Sequence, residues 1–261
     1  MGRWLDGILD IVYPRACAGC GAWDETLCAA CASELTGALR RVESGAPYLM
    51  NIAPDGTTYP AFPVWAIAEY RGTVAQVIVH WKNTHDRRLD QIMAGIFERA
   101  CAELVRGSAP EAETPLSPVA SLSPVALGND PAELVVLPVP SQGSRRRDGR
   151  FVTGVLARVA ARAVGGRYLD VLRMTPERGL LGRLMAFWRE KRRGAIGQTG
   201  VRARASKADL VYSRRDLSAS RVLLIDDVLT SGATLAGAAR AIAQAGGSVV
   251  GAVVFATTAH P

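Results

Sequence analysis

The sequence predicts an α/β protein in which a parallel sheet, flanked by helices, follows a small cysteine-rich module. Short continuous runs of branched apolar residues predict strands that are buried on both faces, as in a parallel sheet. Amphipathic runs of helical period between these strands predict the helices that connect them. Four clustered cysteines predict the module, which we place in residues 1–45, ahead of an α/β domain over residues 60–261.

Composition and charge indicate a globular chain with an anionic partner. The 261 residues are 49% hydrophobic, which is enough for a sizeable core, and they carry a net charge of +7. Basic residues are concentrated between Arg167 and Arg221, so this segment could bind nucleic acid or a polyanionic small molecule. The chain has no apolar run of about eighteen residues, and Met1–Tyr13 lacks the features of a secretory signal. We therefore expect no membrane span and a cytoplasmic location.

The helices and strands follow in chain order from these patterns. An amphipathic helix is predicted over Met1–Tyr13, where it could dock on the rest of the chain or bind a partner or a membrane. Glu34–Pro63 has no clear period and is predicted to be a linker, and residues 107–129 are predicted to be a flexible insertion. The predicted strands are Val64–Tyr70, Leu134–Leu137, Tyr168–Leu172, Val222–Ile225 and Ser248–Ala256. The predicted helices are Thr73–Asn83, Leu89–Val105, Phe151–Ala163 and Leu235–Ala245.

Two Cys-x-x-Cys pairs form a candidate metal site; its residues are Cys17, Cys20, Cys28 and Cys31. Each pair can supply two thiolates to one tetrahedral zinc ion. The alternative is a pair of disulfides, which needs an oxidising compartment that nothing in the sequence indicates. A zinc site closed by four thiolates would stabilise the module rather than catalyse a reaction, although such modules can also bind nucleic acid. The fifth cysteine, Cys101, lies in an apolar helical run and is predicted to be core.

The most informative stretch is Val222–Thr234, in which a predicted buried strand ends at two aspartates, Asp226 and Asp227. A turn rich in hydroxyl groups leads from them into a helix; its residues are Thr230, Ser231, Gly232, Ala233 and Thr234. The first N–H groups of that helix, its dipole and the hydroxyls would together bind an anion such as a phosphate. The two carboxylates suit sugar hydroxyls or a divalent cation instead.

A ligand that satisfies both halves of this stretch carries a phosphate at one end and a diol or a metal-bound group at the other. A ribose 5-phosphate unit has this shape. The alternative is an ordinary strand, turn and helix in which an aspartate and a threonine cap the helix. That alternative explains one aspartate and one threonine, but not a second carboxylate and two further hydroxyls around a glycine.

Basic residues offer a second anion site beside the first. The strand predicted over Leu134–Leu137 runs into a turn that is followed by an arginine cluster. Such a cluster could bind a pyrophosphate, or it could be a solvated charge run that opens a helix. The candidate pyrophosphate contacts are Ser141, Arg145, Arg147 and Lys82.

The basic segment 176–197 has two interpretations. It combines an apolar, helix-like piece with a run of basic residues. It could be a mobile flap that closes over a reactive sugar and excludes water. A hairpin that binds a partner or nucleic acid would have the same composition, and both interpretations stay open.

Several motifs, taken in order, resemble the competence protein F (ComF) family, which is also catalogued as amidophosphoribosyltransferase-like proteins. They are the four-cysteine module, Tyr70-Arg71-Gly72, Val136–Pro140, Gln198–Gly200 and the Asp226-Asp227 stretch. All thirteen residues of Val222–Thr234 are similar to the phosphoribosyl-pyrophosphate (PRPP) signature of type I phosphoribosyltransferases. The resemblance implies a type I phosphoribosyltransferase fold with a small zinc-ribbon-like module at the amino terminus.

The resemblance also implies roles for the site residues. Asp226 and Asp227 would hold the ribose 2′- and 3′-hydroxyls, directly or through Mg²⁺, and Thr230–Thr234 would hold the 5-phosphate of PRPP. The protein would then transfer a phosphoribosyl group to a nitrogen acceptor. The alternative is a non-enzymatic ComF-type factor in DNA uptake, which would bind PRPP, single-stranded DNA or competence proteins. A homo-oligomer is compatible with either function.

The sequence departs from the family pattern in three places. Val152 and Thr153 stand where an Asn and a Gln are expected, and Ser206 and Asp209 stand where an Arg and an Asn are usual. The segment 176–197 is extra length relative to the family. These departures leave the ribose-phosphate half of the site intact and affect the part expected to meet the acceptor.

Overall fold

A computed structural model describes residues 15–106, 134–140, 151–175 and 211–258 of the chain. The helix predicted over Met1–Tyr13, the insertion predicted over residues 107–129 and the basic segment 176–197 lie outside these ranges. Within them, no helix combines the length and the hydropathy that crossing a membrane requires.

The described residues form five α-helices, ten strands and two short 3₁₀ turns. The helices are α1 (Ala29–Glu34), α2 (Gly72–Asn83), α3 (Arg87–Val105), α4 (Val152–Val164) and α5 (Ala233–Gln244). The strands are β1 (Arg40–Arg41), β2 (Met50–Ile52), β3 (Thr58–Pro60), β4 (Val64–Glu69), β5 (Leu134–Pro138), β6 (Arg167–Tyr168), β7 (Leu172–Met174), β8 (Val211–Ser213), β9 (Arg221–Leu229) and β10 (Ser248–Thr257). The 3₁₀ turns are Glu43–Gly45 and Pro47–Leu49.

Six strands form one sheet in the order β1, β4, β10, β9, β5, β6. All neighbours in this sheet are parallel except β1, which pairs antiparallel with β4. The central strands are apolar on both faces because helices cover both sides of the sheet, and β5 is buried along its whole length. The predicted α/β fold with a mostly parallel sheet is therefore confirmed.

Each face of the sheet has its own hydrophobic core. Helices α2, α3 and α4 cover one face, where the ring of Phe255 lies 6.1 Å from that of Trp81 and 5.9 Å from that of Phe97. Helix α5 covers the opposite face and packs on Leu224 and Val254. The helix predicted over Thr73–Asn83 is confirmed as α2, and its apolar face is buried: Val74, Val77, Ile78 and Trp81.

The segment Glu34–Pro63, predicted to be a linker, is instead folded against the sheet. It contains the end of α1, strand β1, both 3₁₀ turns and the β2–β3 hairpin. Leu39 is buried in the core under α2, and Leu49 is buried in the core under α5. The linker prediction is wrong because short turns that are stabilised by tertiary contacts leave no periodic pattern in the sequence.

A buried carboxylate holds this segment against β4. Glu43 is 6% exposed, and its Oε2 accepts the N–H of Val42 at 3.2 Å and the N–H of Val64 at 3.1 Å. The guanidinium of Arg41 donates to the other carboxylate oxygen, with Nε at 2.7 Å, and lies over the ring of Trp65. A buried charge is tolerated when it is paired and hydrogen-bonded, as Glu43 is.

Two strands differ from their predicted bounds by more than one residue. The strand predicted over Val222–Ile225 continues through both aspartates to Leu229, because β10 keeps supplying hydrogen-bond partners after the apolar run has ended. The strand predicted over Tyr168–Leu172 is two separate strands. Of these, β6 belongs to the main sheet, whereas β7 pairs with β8 in a small antiparallel pair.

Replacing Phe255 by alanine should lower the free energy of unfolding by about 3–5 kcal/mol, because the fully buried ring would leave a cavity beside Trp81 and Phe97. Urea denaturation followed by circular dichroism measures this change. Tyr212→Ala is the control, since that ring is 43% exposed and its loss should cost less than about 1 kcal/mol. A similarly small cost for Phe255→Ala would contradict the described core.

Candidate functional site

The candidate site lies where β9 continues past its neighbour β5. Strand β5 pairs with β9 as far as Pro138, opposite Ile225. On the other side of β9, strand β10 remains paired with it as far as Thr257, opposite Leu229. Among the described residues, the last part of β9 therefore has a paired strand on one side only. Ligands of open α/β sheets bind in the crevice at the carboxyl ends of the strands, so this step in the sheet is a candidate binding site.

Asp226 and Asp227 are the first two residues of β9 after the point at which its pairing with β5 ends. Successive residues of a strand project to opposite faces of a sheet. Asp227 meets helix α2, where its Oδ2 lies 2.8 Å from Nζ of Lys82. Both side chains of this ion pair are largely shielded from solvent, since Lys82 is 16% exposed and Asp227 is 15% exposed. Helix α2 thus supplies a positive charge to the aspartates.

Asp226 is half-buried and carries a strongly perturbed carboxyl group. Burial raises the pKa of Asp226 to about 8, and the neighbouring Asp227 carboxylate adds to the rise. The N–H of Asp227, which donates to Asp226 Oδ1 at 2.8 Å, and the charge of Lys82 lower this pKa but do not outweigh burial. A protonated Asp226 can donate a hydrogen bond to a sugar oxygen, while Asp227 offers acceptor oxygens.

The turn from β9 into α5 presents the candidate phosphate-binding groups. Gly232 has a left-handed φ of 80° and directly precedes α5, whose first turn has no side-chain cap. The first N–H groups of an α-helix have no partner within the helix. Thr230 is exposed, and Ser231 and Thr234 are half-buried. These hydroxyls and amides, at the positive end of the α5 dipole, could bind an anion.

The four cysteines of the module come together as predicted. Their sulfur atoms all lie within 4.8 Å of one another, and Sγ of Cys20 is 3.6 Å from Sγ of Cys28. Thiolates bound tetrahedrally to one zinc ion at about 2.3 Å lie about 3.8 Å apart, so these positions fit a single ion. All four are free thiols. The cluster could therefore hold a structural metal such as zinc.

The cysteine module is packed directly on the start of α2. A Cβ atom on Gly19 would lie 2.6 Å from Cγ2 of Thr73 and 2.8 Å from Sγ of Cys31. Glycine is thus required where the module's first turn meets both the cysteine cluster and α2. Since α2 also carries Lys82, the module supports the helix that supplies the site with its positive charge.

The cysteine cluster favours ionisation of one thiol. Burial raises the pKa of Cys17, but N–H donors of Cys20, Cys28 and Gly19 outweigh burial and lower it to about 6. The N–H of Cys28 lies 3.3 Å from this sulfur. Burial and the neighbouring thiols raise the pKa of Cys31. A bound metal ion would ionise all four thiols, because thiolates are its ligands.

The described residues contain only part of the predicted site. The candidate pyrophosphate contacts Ser141, Arg145 and Arg147 lie outside them, as do the departures at Ser206 and Asp209. The departures at Val152 and Thr153 lie in the first turn of α4, and both residues are buried. The hydroxyl of Thr153 donates to the carbonyl of Val139 at 3.3 Å, so it joins α4 to the end of β5.

The sequence predicts Lys82 as a candidate pyrophosphate contact, which stays a prediction, but it does not predict the ion pair of Lys82 with Asp227. A signal was present, because Lys82 follows the buried Ile78 by four residues and therefore lies on the apolar face of α2. A lysine on a buried face needs a counter-charge. Tyr48 was missed as well; its N–H donates to the carbonyl of Ser231 at 3.1 Å, and no periodic pattern marks it.

Comparison with known proteins supports a general class of function for the chain. Residues 168–261, about a third of the chain, match the sequence model of the family described as the phosphoribosyl transferase domain. The matched part contains both aspartates, the turn and α5. It supports a phosphoribosyltransferase-like function in general, and the closer resemblance to the ComF family stays a prediction. No curated protein matches the chain.

Replacing Asp226 by asparagine should stabilise the protein increasingly as the pH rises. The carboxyl ionises near pH 3.8 when unfolded and near pH 8 when folded. Its contribution to stability is therefore fully present below pH 3.8 and is lost as the pH rises through about 8. Asparagine does not ionise, so the Tm advantage of Asp226→Asn over wild type should grow by about 5 °C between about pH 5 and about pH 8.

Thermal denaturation without ligand, at both pH values, measures this difference. Glu25→Gln is the control, because Glu25 is an exposed carboxylate in the cysteine module. The Tm difference of this variant from wild type over the same range provides the reference for loss of a surface carboxylate. A Tm difference for Asp226→Asn that is constant or that shrinks with pH would contradict the raised pKa of Asp226.

The purified protein should contain one metal ion per chain, which Cys20→Ser should lose because three thiolates hold zinc less tightly than four. Cys101→Ser should retain it, since Cys101 is buried in α3, outside the cluster. Elemental analysis of both variants measures the metal content. Removal of the ion should lower Tm by about 5 °C or more, because binding and folding of such modules are coupled. A metal-free wild type would contradict the assignment.

Proposed function

We propose that the chain binds PRPP together with Mg²⁺ at the carboxyl end of β9 and transfers its phosphoribosyl group to a nitrogen acceptor. One observation carries the proposal: two aspartates, a hydroxyl-rich turn and the start of α5 follow one another directly, with Lys82 2.8 Å from Asp227. The family match over residues 168–261 supports this class of function in general.

The 5-phosphate would be bound by the turn Thr230–Thr234. Its hydroxyls can donate to phosphate oxygens, and the first amides of α5 add backbone donors. Gly232 gives the turn its left-handed φ of 80°, which residues with a side chain rarely adopt. The positive end of the α5 dipole adds a favourable electrostatic term at this position.

The ribose would lie between the turn and Lys82, with its diol on the two aspartates. Asp227 would accept a hydrogen bond from one hydroxyl, and a protonated Asp226 could donate one to the sugar. The pair then carries less negative charge than two free carboxylates. It therefore repels the phosphate groups of the substrate less strongly.

Magnesium fits this site only together with the substrate. Mg²⁺ takes six oxygen ligands and is usually held by one or two carboxylates plus substrate phosphates. Asp227 is paired with Lys82, and Asp226 has a raised pKa, so the two side chains alone are a poor magnesium site. When bound, the ion would neutralise the pyrophosphate and make it a better leaving group.

The residues of the site would promote transfer by stabilising charge. The bond from the ribose C1 to a pyrophosphate oxygen breaks, and its electron pair leaves with the pyrophosphate. The positive charge that develops on the sugar would be stabilised by the carboxylate of Asp227. The acceptor nitrogen then forms the new bond to C1 and loses a proton. Lys82 would contact the leaving pyrophosphate, with Ser141, Arg145 and Arg147 as further proposed contacts.

The described residues do not favour the alternative of single-stranded DNA binding by the cysteine module. Trp23 is 68% exposed and could stack on a base. Between Arg15 and Glu34, however, Arg15 is the one basic residue, against Asp24, Glu25 and Glu34. Phosphate backbones are bound by clusters of lysine and arginine, so this surface would repel DNA.

Wild-type protein should bind PRPP in the presence of Mg²⁺, and the double variant Asp226→Asn plus Asp227→Asn should bind it at least about tenfold more weakly. The weakening is expected because the diol would lose its charged acceptor and Lys82 would lose its partner. Isothermal titration calorimetry measures both affinities, and release of pyrophosphate with amines or nucleobases tests transfer.

Asp216→Asn is the matched control, since Asp216 is an exposed aspartate on the amino side of β9. This variant should bind PRPP as wild type does. Equal affinity of wild type and the double variant would count against the proposed site. Absence of PRPP binding by wild type with Mg²⁺ would overturn the proposed function.

A further inference from the structure

We infer that the segment Glu43–Leu49 positions the phosphate-binding turn from behind and fixes the direction of the Gly232 N–H group. Tyr48 and Leu49 are then positioning residues, which act through the turn without touching the ligand. The inference rests on the proposed function, because it concerns how the same turn is held for a phosphate.

Two contacts join this segment to the turn. The N–H of Tyr48 donates to the carbonyl of Ser231 at 3.1 Å. A Cβ atom on Gly232 would lie 2.8 Å from Cγ of Leu49 and 3.1 Å from Cβ of Ala46. Gly232 therefore has both a left-handed φ of 80° and no room for a side chain. The segment covers the turn on the side of Leu49.

The hydrogen bond from Tyr48 sets the orientation of one peptide plane. In a trans peptide, the C=O of one residue and the N–H of the next point in opposite directions. Because the Ser231 carbonyl points to Tyr48, the Gly232 N–H points away from the segment. That N–H directly precedes α5, at the positive end of its dipole, so it is aimed to the side where an anion would bind.

The segment is itself held at both ends by hydrogen bonds, at its start to β4 and at its end to the chain just before β4. At its start, the buried carboxylate of Glu43 accepts the N–H of Val64, and the N–H of Val42 donates to the Val64 carbonyl at 3.0 Å. At its end, the Leu49 carbonyl accepts the N–H of Ala61 at 2.7 Å. The turn is thus held by a support anchored on β4, rather than by a free loop.

This arrangement separates the two ends of the proposed ligand. The support contacts the turn for the 5-phosphate, whereas Lys82, the proposed contact of the pyrophosphate, is positioned by α2. Loosening the support should therefore weaken binding of a 5-phosphate and spare binding of pyrophosphate. A general loss of folding would weaken both.

The test compares two probes, ribose 5-phosphate and inorganic pyrophosphate with Mg²⁺, by isothermal titration calorimetry. Leu49→Ala opens space over Gly232, and Tyr48→Pro removes the N–H donor. Each should raise the Kd for ribose 5-phosphate by about tenfold and leave that for pyrophosphate within about twofold. Leu49→Met, which refills the space, should restore most of the affinity. Leu217→Ala removes a leucine from the same core, before the start of β9, and should not change the ratio of the two Kd values.

The two proposals fail in different ways. If wild type binds PRPP and ribose 5-phosphate but the variants leave the ratio of the two Kd values unchanged, this inference is overturned and the proposed function stands. If wild type binds neither ribose 5-phosphate nor PRPP, both the inference and the proposed function are overturned. If Tyr48→Pro does not fold, Leu49→Ala and its rescue by Leu49→Met decide the outcome.

Discussion

Two neighbouring carboxylates at a shielded strand end need a compensating positive charge, and much of the described structure serves to supply it. Asp226 and Asp227 lie where β9 has lost one neighbouring strand, and burial raises the pKa of Asp226. The charge comes from Lys82, 2.8 Å from Asp227, on a helix that Trp81 anchors in the core. Ion pairs shielded in this way are stable only if the surrounding packing fixes their geometry. The core under α2 is thus also a condition for the site.

The site is assembled from three parts of the chain that are distant in sequence. Strand β9 and helix α5 provide the aspartates and the turn, α2 provides Lys82, and the segment before β4 holds the turn from behind. The cysteine module joins this assembly through Gly19, which packs against Thr73 at the start of α2. Stabilising the module with a metal ion would therefore also stabilise the helix that carries the lysine.

Much of this arrangement could be predicted because the patterns are local. Buried parallel strands leave continuous apolar runs, and the helices α2 and α3 leave stripes of helical period, so both were assigned within a few residues. The polar end of β9 was assigned too short, because hydrogen bonds from β10, rather than side-chain polarity, determine where that strand ends. The turns before β4 have no periodic pattern and read as a linker in the sequence, because Glu43 and Leu49 are held by partners far along the chain.

The sequence by itself determined the chemistry of the candidate site: two carboxylates, a glycine-containing hydroxyl turn and a helix start in one uninterrupted stretch, and four thiols at metal-ligand spacing. These features depend on residues near one another in sequence, where spacing alone limits the geometry. The tertiary structure decided the electrostatics, since the partner of Asp227 and the burial of Asp226 come from elements that only the fold brings together. It also decided which side of the turn faces a ligand, because the hydrogen bond from Tyr48 to Ser231 spans the chain from before β4 to after β9.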